Sequence, residues 1–254
     1  MPAMRSRTIP KRKSARPRVA VPARAAVLPD DDIDGGLADI GGRLGLAERA
    51  RISLEQQIVT LELAPGSVWT EAELSQRLGI GRTPVREALQ RLERDYLVEI
   101  APRLGARITA IDVRQQLLLL ELRRALERLI AVRAARHCTD DERAKCIDMA
   151  RTLESMRDAD VLAFLRYHYR IKEYIAECAR NPFVARAIAP VHAMSRRFYY
   201  LHHRQVHDLT VAANHHARVI RAIAKGDEEA AAAASDRLMD YVEALTRSTV
   251  LRAS

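Results

Sequence analysis

The run Gly79-Ile80-Gly81-Arg82-Thr83-Pro84-Val85-Arg86-Glu87-Ala88-Leu89 decides how this chain is read. A short turn carrying glycine opens a helix whose first residues include two arginines four apart. The free backbone N–H groups of such a helix end favour phosphate. Its arginines can reach guanine edges through two parallel hydrogen bonds. Val85, Ala88, Leu89 and Leu92 recur at helical spacing and predict an apolar stripe on a helix running to about Asp95. The stretch therefore points to a DNA-reading helix, with Arg82 and Arg86 one turn apart on one face.

Upstream, Thr70-Glu71-Ala72-Glu73 is a capping box. It predicts a helix with Leu74 and Leu78 inward, stopped at Gly79. Helix, short glycine turn and second helix make a helix-turn-helix. Before it, Leu54, Ile58, Leu61 and Leu63 predict a short amphipathic helix closed by Pro65-Gly66, and Val68-Trp69 a stub of strand. Downstream, residues 96–100 and 106–110 read as strands joined by the turn Pro102-Arg103-Leu104-Gly105, which makes a wing. The expected first domain is a winged helix-turn-helix over residues 45–111. From Asp112 onward only helical patterns occur, with segments at 113–137, 140–157, 160–180, 183–205, 209–225 and 227–248. Residues 112–250 are thus expected to form an all-α helical bundle, and the fold class is mainly α.

Composition agrees. Aromatic residues make up only 4% of the 254, which favours helix over strand. No stretch of about 18 apolar residues predicts a membrane span. The basic N-terminus lacks an apolar run of the secretory kind, so a cytoplasmic protein with no membrane partner is expected. Cys138, Cys146 and Cys178 are odd in number and show no C-x-x-C spacing, which argues against a disulfide framework or a zinc knuckle.

The net charge of +9 has to be located. Residues 1–28 hold eight basic side chains and no acid, so the rest of the chain carries 34 basic and 33 acidic groups. With its four prolines this basic tail, and the linker to residue 44, suit disorder. Residues 46–113 hold nine basic and ten acidic side chains. Any DNA contact by the module is therefore a local patch rather than bulk charge.

Residues 58–111 resemble the DNA-binding domain of GntR-type transcription regulators. The match runs through Pro65-Gly66, Thr70-Glu71 with Leu74, the whole run 79–89, Arg91-Leu92-Glu93, Leu97-Val98 and Arg103-Leu104-Gly105-Ala106. The helical part resembles the FadR-type effector domain of that family, through residues 121–127, Ala134-Ala135, Asn181-Pro182, His216 and Gly226-Asp227. Six helices suggest its VanR-like branch. The resemblance implies a homodimeric regulator, expected to be a repressor, on a palindromic double-stranded DNA operator. A small metabolite, often an organic acid, would modulate it. It implies base contacts by Arg82 and Arg86, and phosphate contacts by Thr83 and by the backbone of Gly81, where the family commonly has Ser or Thr. Arg77 from the preceding helix, and Arg103, Gly105 and Arg107 from the wing, complete the expected surface.

Many such effector domains bind a divalent metal through one Asp and three His. With Asn181-Pro182 fixing the register, those places fall on His168, Lys172, His216 and Leu238. Lysine and leucine cannot ligate a metal, which leaves His168 and His216 as weak candidates, and no metal or other cofactor is expected. Instead Lys172 with Arg123 is expected to hold an anionic ligand. His168 and His216 would donate hydrogen bonds, and Arg196, Arg197 and Tyr200 would line the same pocket. His203 and His207, four apart, form a weaker metal pair. The alternative from another class is a metal-dependent enzyme built on these histidines. It would need three or four ligands, and no G-x-S-x-G, P-loop or G-x-G-x-x-G is present. A third reading is an architectural binder driven by the basic tail.

Overall fold

The computed structural model describes residues 44–101, 103–156, 160–203 and 209–251. The expectations for residues 1–43 lie outside them. Helix α1, Leu46–Val59, buries Ala50, Leu54 and Ile58. It ends before the sequence pattern suggests, because Leu61 turns into the left-handed region at φ +61°. Leu63 is still fully buried, but from the loop, where its N–H donates to the Gln57 carbonyl at 3.0 Å.

After strand β1, Val68–Trp69, comes α2, Glu71–Leu78. Its capping box is complete: the Glu73 N–H donates to Thr70 Oγ1 at 3.2 Å, and the Thr70 N–H donates to Glu73 Oε2 at 2.7 Å. Leu74 is fully buried, whereas Leu78, on the last turn, packs only at the margin of the core. Gly79 closes the helix in the left-handed conformation, which sends the chain into α3, Arg82–Arg94. The α3 stripe Val85, Ala88, Leu89 and Leu92 is buried, as its spacing predicts.

Strands β2, Val98–Ala101, and β3, Gly105–Ile108, form the wing, and the antiparallel order is β1-β3-β2. Both strands are shorter than the apolar patterns at 96–100 and 106–110. Tyr96 is in a left-handed turn at φ +61°, and β3 ends where the Thr109 N–H donates to the Leu97 carbonyl.

Six helices follow: α4 Val113–His137, α5 Asp140–Ser155, α6 Val161–Cys178, α7 Pro182–His202, α8 Leu209–Lys225 and α9 Glu228–Leu251. Local chemistry starts them. Asp112, Thr139, Asp160 and Asn181 accept from first-turn N–H groups of α4 to α7. Asp227 Oδ1 accepts from the Ala230 N–H at 2.8 Å. Alanines at 131, 134 and 135 of α4 and at 231 and 234 of α9 are buried where these two helices pack closely. The winged module and the helical part each have an apolar core. Helix α7 joins both, since Ala193 is fully buried in the core of the winged module.

Gly105 is required by geometry. Its φ is +102°, and a Cβ there would collide with the Trp69 carbonyl oxygen and lie 3.2 Å from Thr70 Cα. We expect Gly105→Ala to cost about 2 kcal/mol or more in denaturant unfolding. Gly81 has φ −58° and only ordinary contact with Pro84. Gly81→Ser supplies a capping hydroxyl and should stabilise by about 0.3 kcal/mol in the same measurement.

Candidate DNA-reading surface and effector cavity

Gly81 offers no side-chain cap to α3. The first intrahelical donor is the Val85 N–H, to the Gly81 carbonyl at 3.3 Å, so the N–H groups of Arg82 and Thr83 precede the ladder. Gly81, Arg82 and Thr83 are all exposed. Arg86 is also exposed and forms a two-pronged pair with Glu71 across the helix-turn-helix, Nε to Oε1 at 2.8 Å and a terminal nitrogen to Oε2 at 2.7 Å. Arg82 makes no ion pair with a described residue. The two arginines differ, then: Arg86 is held by a carboxylate that a nucleic acid would have to displace, whereas Arg82 feels that carboxylate only at longer range.

Arg77 is exposed near the end of α2. It bonds Gln57 and Glu62, and its guanidinium lies 5.8 Å from the centre of the Trp69 ring, which ties α2 to the loop after α1. Arg103 and Arg107 are exposed on the wing. Gly105 serves conformation, as the collision above requires.

Helices α4, α6, α7, α8 and α9 enclose a cavity. Phe164, Leu165, Phe198 and Val242 give it apolar walls, while Arg123, His168, Lys172, His192 and His216 give it a polar floor. The polar floor is organised by Glu127, which sequence reasoning quoted in a motif but gave no role. Lys172 Nζ donates to both Glu127 oxygens at 2.8 and 2.7 Å, Arg123 donates at 3.2 Å, and His192 Nε2 lies 2.9 Å from Oε1. Glu127, Arg123, Lys172 and His192 are all buried. Lys172 and Arg123 are therefore engaged with a protein carboxylate, not left open for a ligand as expected. An isolated buried charge is too costly, so the cations find an internal partner. The signal was present: Glu127 lies one helical turn from Arg123.

The charges here do not balance. Burial pushes the Glu127 carboxyl up, but Lys172, His192 and Arg123 outweigh burial and hold it well below the usual carboxylate range. Burial pulls the Lys172 ammonium down, opposed by Glu127. Burial depresses His192 to about 4, and takes His168 and His216 well below their ordinary value. With the histidines neutral, two cations face one carboxylate. Among the described residues His168 has no hydrogen-bond partner at either ring nitrogen, and its ring meets the His216 ring edge-on at 4.2 Å.

The phase of α7 corrects two further expectations. Arg196 and Tyr199 line the cavity, while Arg197 and Tyr200 do not. Arg197 instead donates to Thr109 Oγ1 at 2.8 Å and to the Thr109 carbonyl, at the end of β3. Tyr200 stacks on His203 at 5.4 Å. His203 caps α7, and its proposed partner His207 lies outside the described residues. Arg196 also pairs with Glu55 of α1 at 2.7 Å and lies 4.2 Å from the Tyr169 ring centre. Among the described residues, the one group of three ligand side chains close enough to hold a metal ion is elsewhere, at Cys138, Glu142 and Cys178.

Comparison with known proteins places this geometry. Residues 46–108 match the family model described as "Bacterial regulatory proteins, gntR family", and residues 118–241 match the one described as "FCD domain". The chain thus carries a GntR-family helix-turn-helix domain followed by an FCD effector domain. An HTH-type regulator in an unstable DNA locus of Streptomyces ambofaciens is 43% identical over 61 residues, 24% of this chain and 26% of that one. The HTH-type transcriptional repressor RspR of Escherichia coli K12 is 33% identical over 106 residues, 42% of this chain and 45% of that one. The chain thus spans less than half the length of these two curated relatives. The solved structure of E. coli McbR/YncC superposes with a TM-score of 0.72 at 18% identity, over 82% of this chain and 99% of that one, which shows a shared fold. The family is one of regulatory proteins, which sets aside the enzyme reading. Among the described residues no helix is long and apolar enough to cross a membrane.

Two outcomes follow from the buried cluster. Glu127→Ala leaves Lys172 and Arg123 facing each other, and should cost about 3–5 kcal/mol in chemical unfolding. The second outcome concerns pH. A histidine depressed in the fold contributes stability that is present above its unfolded value of 6.5 and is lost as pH falls toward its folded value, about 4 for His192. Unfolding free energy should therefore drop between those limits. His192→Gln should make the slope shallower by about 1.4 kcal/mol per pH unit.

Proposed function

We propose that the protein is a ligand-responsive, DNA-binding transcription repressor of the cytoplasm. Residues 45–111 read a palindromic operator, and residues 112–250 bind a small anionic metabolite and join two copies. The observation that carries the DNA reading is the exposed, uncapped start of α3, with Arg82 and Arg86 beside it. Arg82 and Arg86 would contact bases, with Gly81, Thr83, Arg103 and Arg107 on phosphates. The name of the E. coli relative, a repressor, supports the sign of regulation.

The cavity supports an anionic effector. Its polar floor holds one positive charge more than Glu127 compensates, together with the unsatisfied ring nitrogens of His168, while its walls suit an apolar body. In this reading Lys172 supplies the charge that a metal ion supplies in related domains. Helix α7 would carry the signal. Arg196 faces the cavity and also pairs with Glu55 of the reading module. A ligand carboxylate that draws Arg196 competes with Glu55, and so has different affinity for the two placements of α1. Pairing of copies is supported by Leu118, Leu122 and Leu129, exposed in one stripe along α4. Two half-sites related by a twofold axis need a protein with the same symmetry.

The test is selection of genomic fragments by the full chain at ~150 mM salt, where non-specific binding fades. We expect a short palindrome, and a loss of at least roughly tenfold in affinity per arginine in Arg82→Ala/Arg86→Ala. Equal enrichment by the double variant contradicts the proposal. Arg196→Ala should still bind the selected fragment but no longer respond to a carboxylic acid that shifts the melting temperature of the wild type.

A further inference from the structure

Spacing alone gives the three cysteines no common purpose, because Cys138 and Cys178 lie forty residues apart in the chain. Packing brings them together. Cys138 is the C-cap of α4, Cys146 lies on the second turn of α5, and Cys178 is the last residue of α6. All three are buried and free of disulfide. The Cys138 and Cys178 sulfurs and a Glu142 carboxylate oxygen lie within 4.8 Å of one another.

We infer that Cys138, Glu142 and Cys178 form a three-donor binding site for a thiophilic d10 cation, zinc(II) or copper(I), separate from the effector cavity.

Tetrahedral zinc with Zn–S bonds of about 2.3 Å sets its sulfur ligands about 3.8 Å apart, so the donors need move by less than about 1 Å. The donors sit on rigid parts. Glu142 is the third residue of α5 and completes the capping box with Thr139, its carboxylate accepting from the Thr139 N–H at 2.9 Å. Arg180 holds the other Glu142 oxygen at 2.6 Å, which offsets charge as thiols lose their protons to solvent and metal–sulfur bonds form. Glu142 is the half-buried member and gives the ion a way in. A disulfide switch is the weaker use of the same residues. Both thiols, Cys138 and Cys178, are buried. Neutral buried thiols are poor nucleophiles toward an oxidant, whereas a bound cation deprotonates them outright. The carboxylate favours zinc, and the two sulfurs suit copper(I).

Cobalt(II) titrated into the reduced full chain tests the site, because thiolate coordination gives a sulfur-to-cobalt charge-transfer band. We expect that band to saturate at one equivalent and to be displaced by zinc(II) or by chelator-buffered copper(I), the tighter competitor naming the ion. Cys178→Ala should abolish it. Glu142→Gln keeps a side chain that can complete the capping box, and should weaken cobalt binding at least tenfold. His168→Ala/His216→Ala should leave the band unchanged, which separates this site from the cavity. No band in the wild type, an undiminished band in Glu142→Gln, or a band lost only in the histidine double variant overturns the inference.

Discussion

The buried carboxylate of Glu127 is the constraint on which the helical domain depends. It draws Arg123 from its own helix, Lys172 from α6 and His192 from α7 into one hydrogen-bonded centre. Each of these groups alone would be costly to bury, and together they fix three helices in one register. The cavity is the space left around that centre. Its chemistry follows from the imbalance of the cluster: Glu127 satisfies Lys172 geometrically, but two cations remain against one anion.

Helix α7 turns that centre into something the reading module can feel. Four residues on consecutive turns face different partners: His192 meets Glu127, Ser195 meets Gln116 of α4 at 3.5 Å, Arg196 meets Glu55 and Arg197 meets Thr109. Ala193, between them, is buried in the core of the winged module. A shift of α7 in response to cavity contents therefore changes contacts at α1 and at the root of the wing. Packed cores of this kind move between discrete arrangements rather than deforming smoothly.

Much of this was legible in the sequence, and the reasons differ by element. The start of the helix-turn-helix is dictated locally, by the capping box at Thr70 and the left-handed Gly79, so both helices fall where their residues predict. The helix after Asp112 matches its predicted span, and Asp112 caps its start. Strand ends were less legible, since Tyr96 and Thr109 are set by turn geometry and pairing register rather than by side-chain pattern. In the site, Lys172, Arg123, His168 and His216 do converge on one cavity. The Arg123–Glu127 pair could be read from its spacing of four, but the Lys172 partner could not, because it lies on another helix far away in the chain. Arg196 lines the cavity as expected, but Arg197 does not, and Tyr199 stands there in place of Tyr200, one residue or about 100° of helical phase away, which only packing fixes. The cysteine cluster depends on three helix ends meeting, and no spacing rule encodes that.

Reciprocity gives the most direct test of the coupling through α7, and it needs no knowledge of the effector. Hydrogen exchange of the full chain would be measured with and without a selected operator fragment. The account predicts altered protection at α2 and α3, and also at α1 and along residues 191–198 of α7. Changes confined to α2, α3 and the wing, with α7 unaltered, would contradict it.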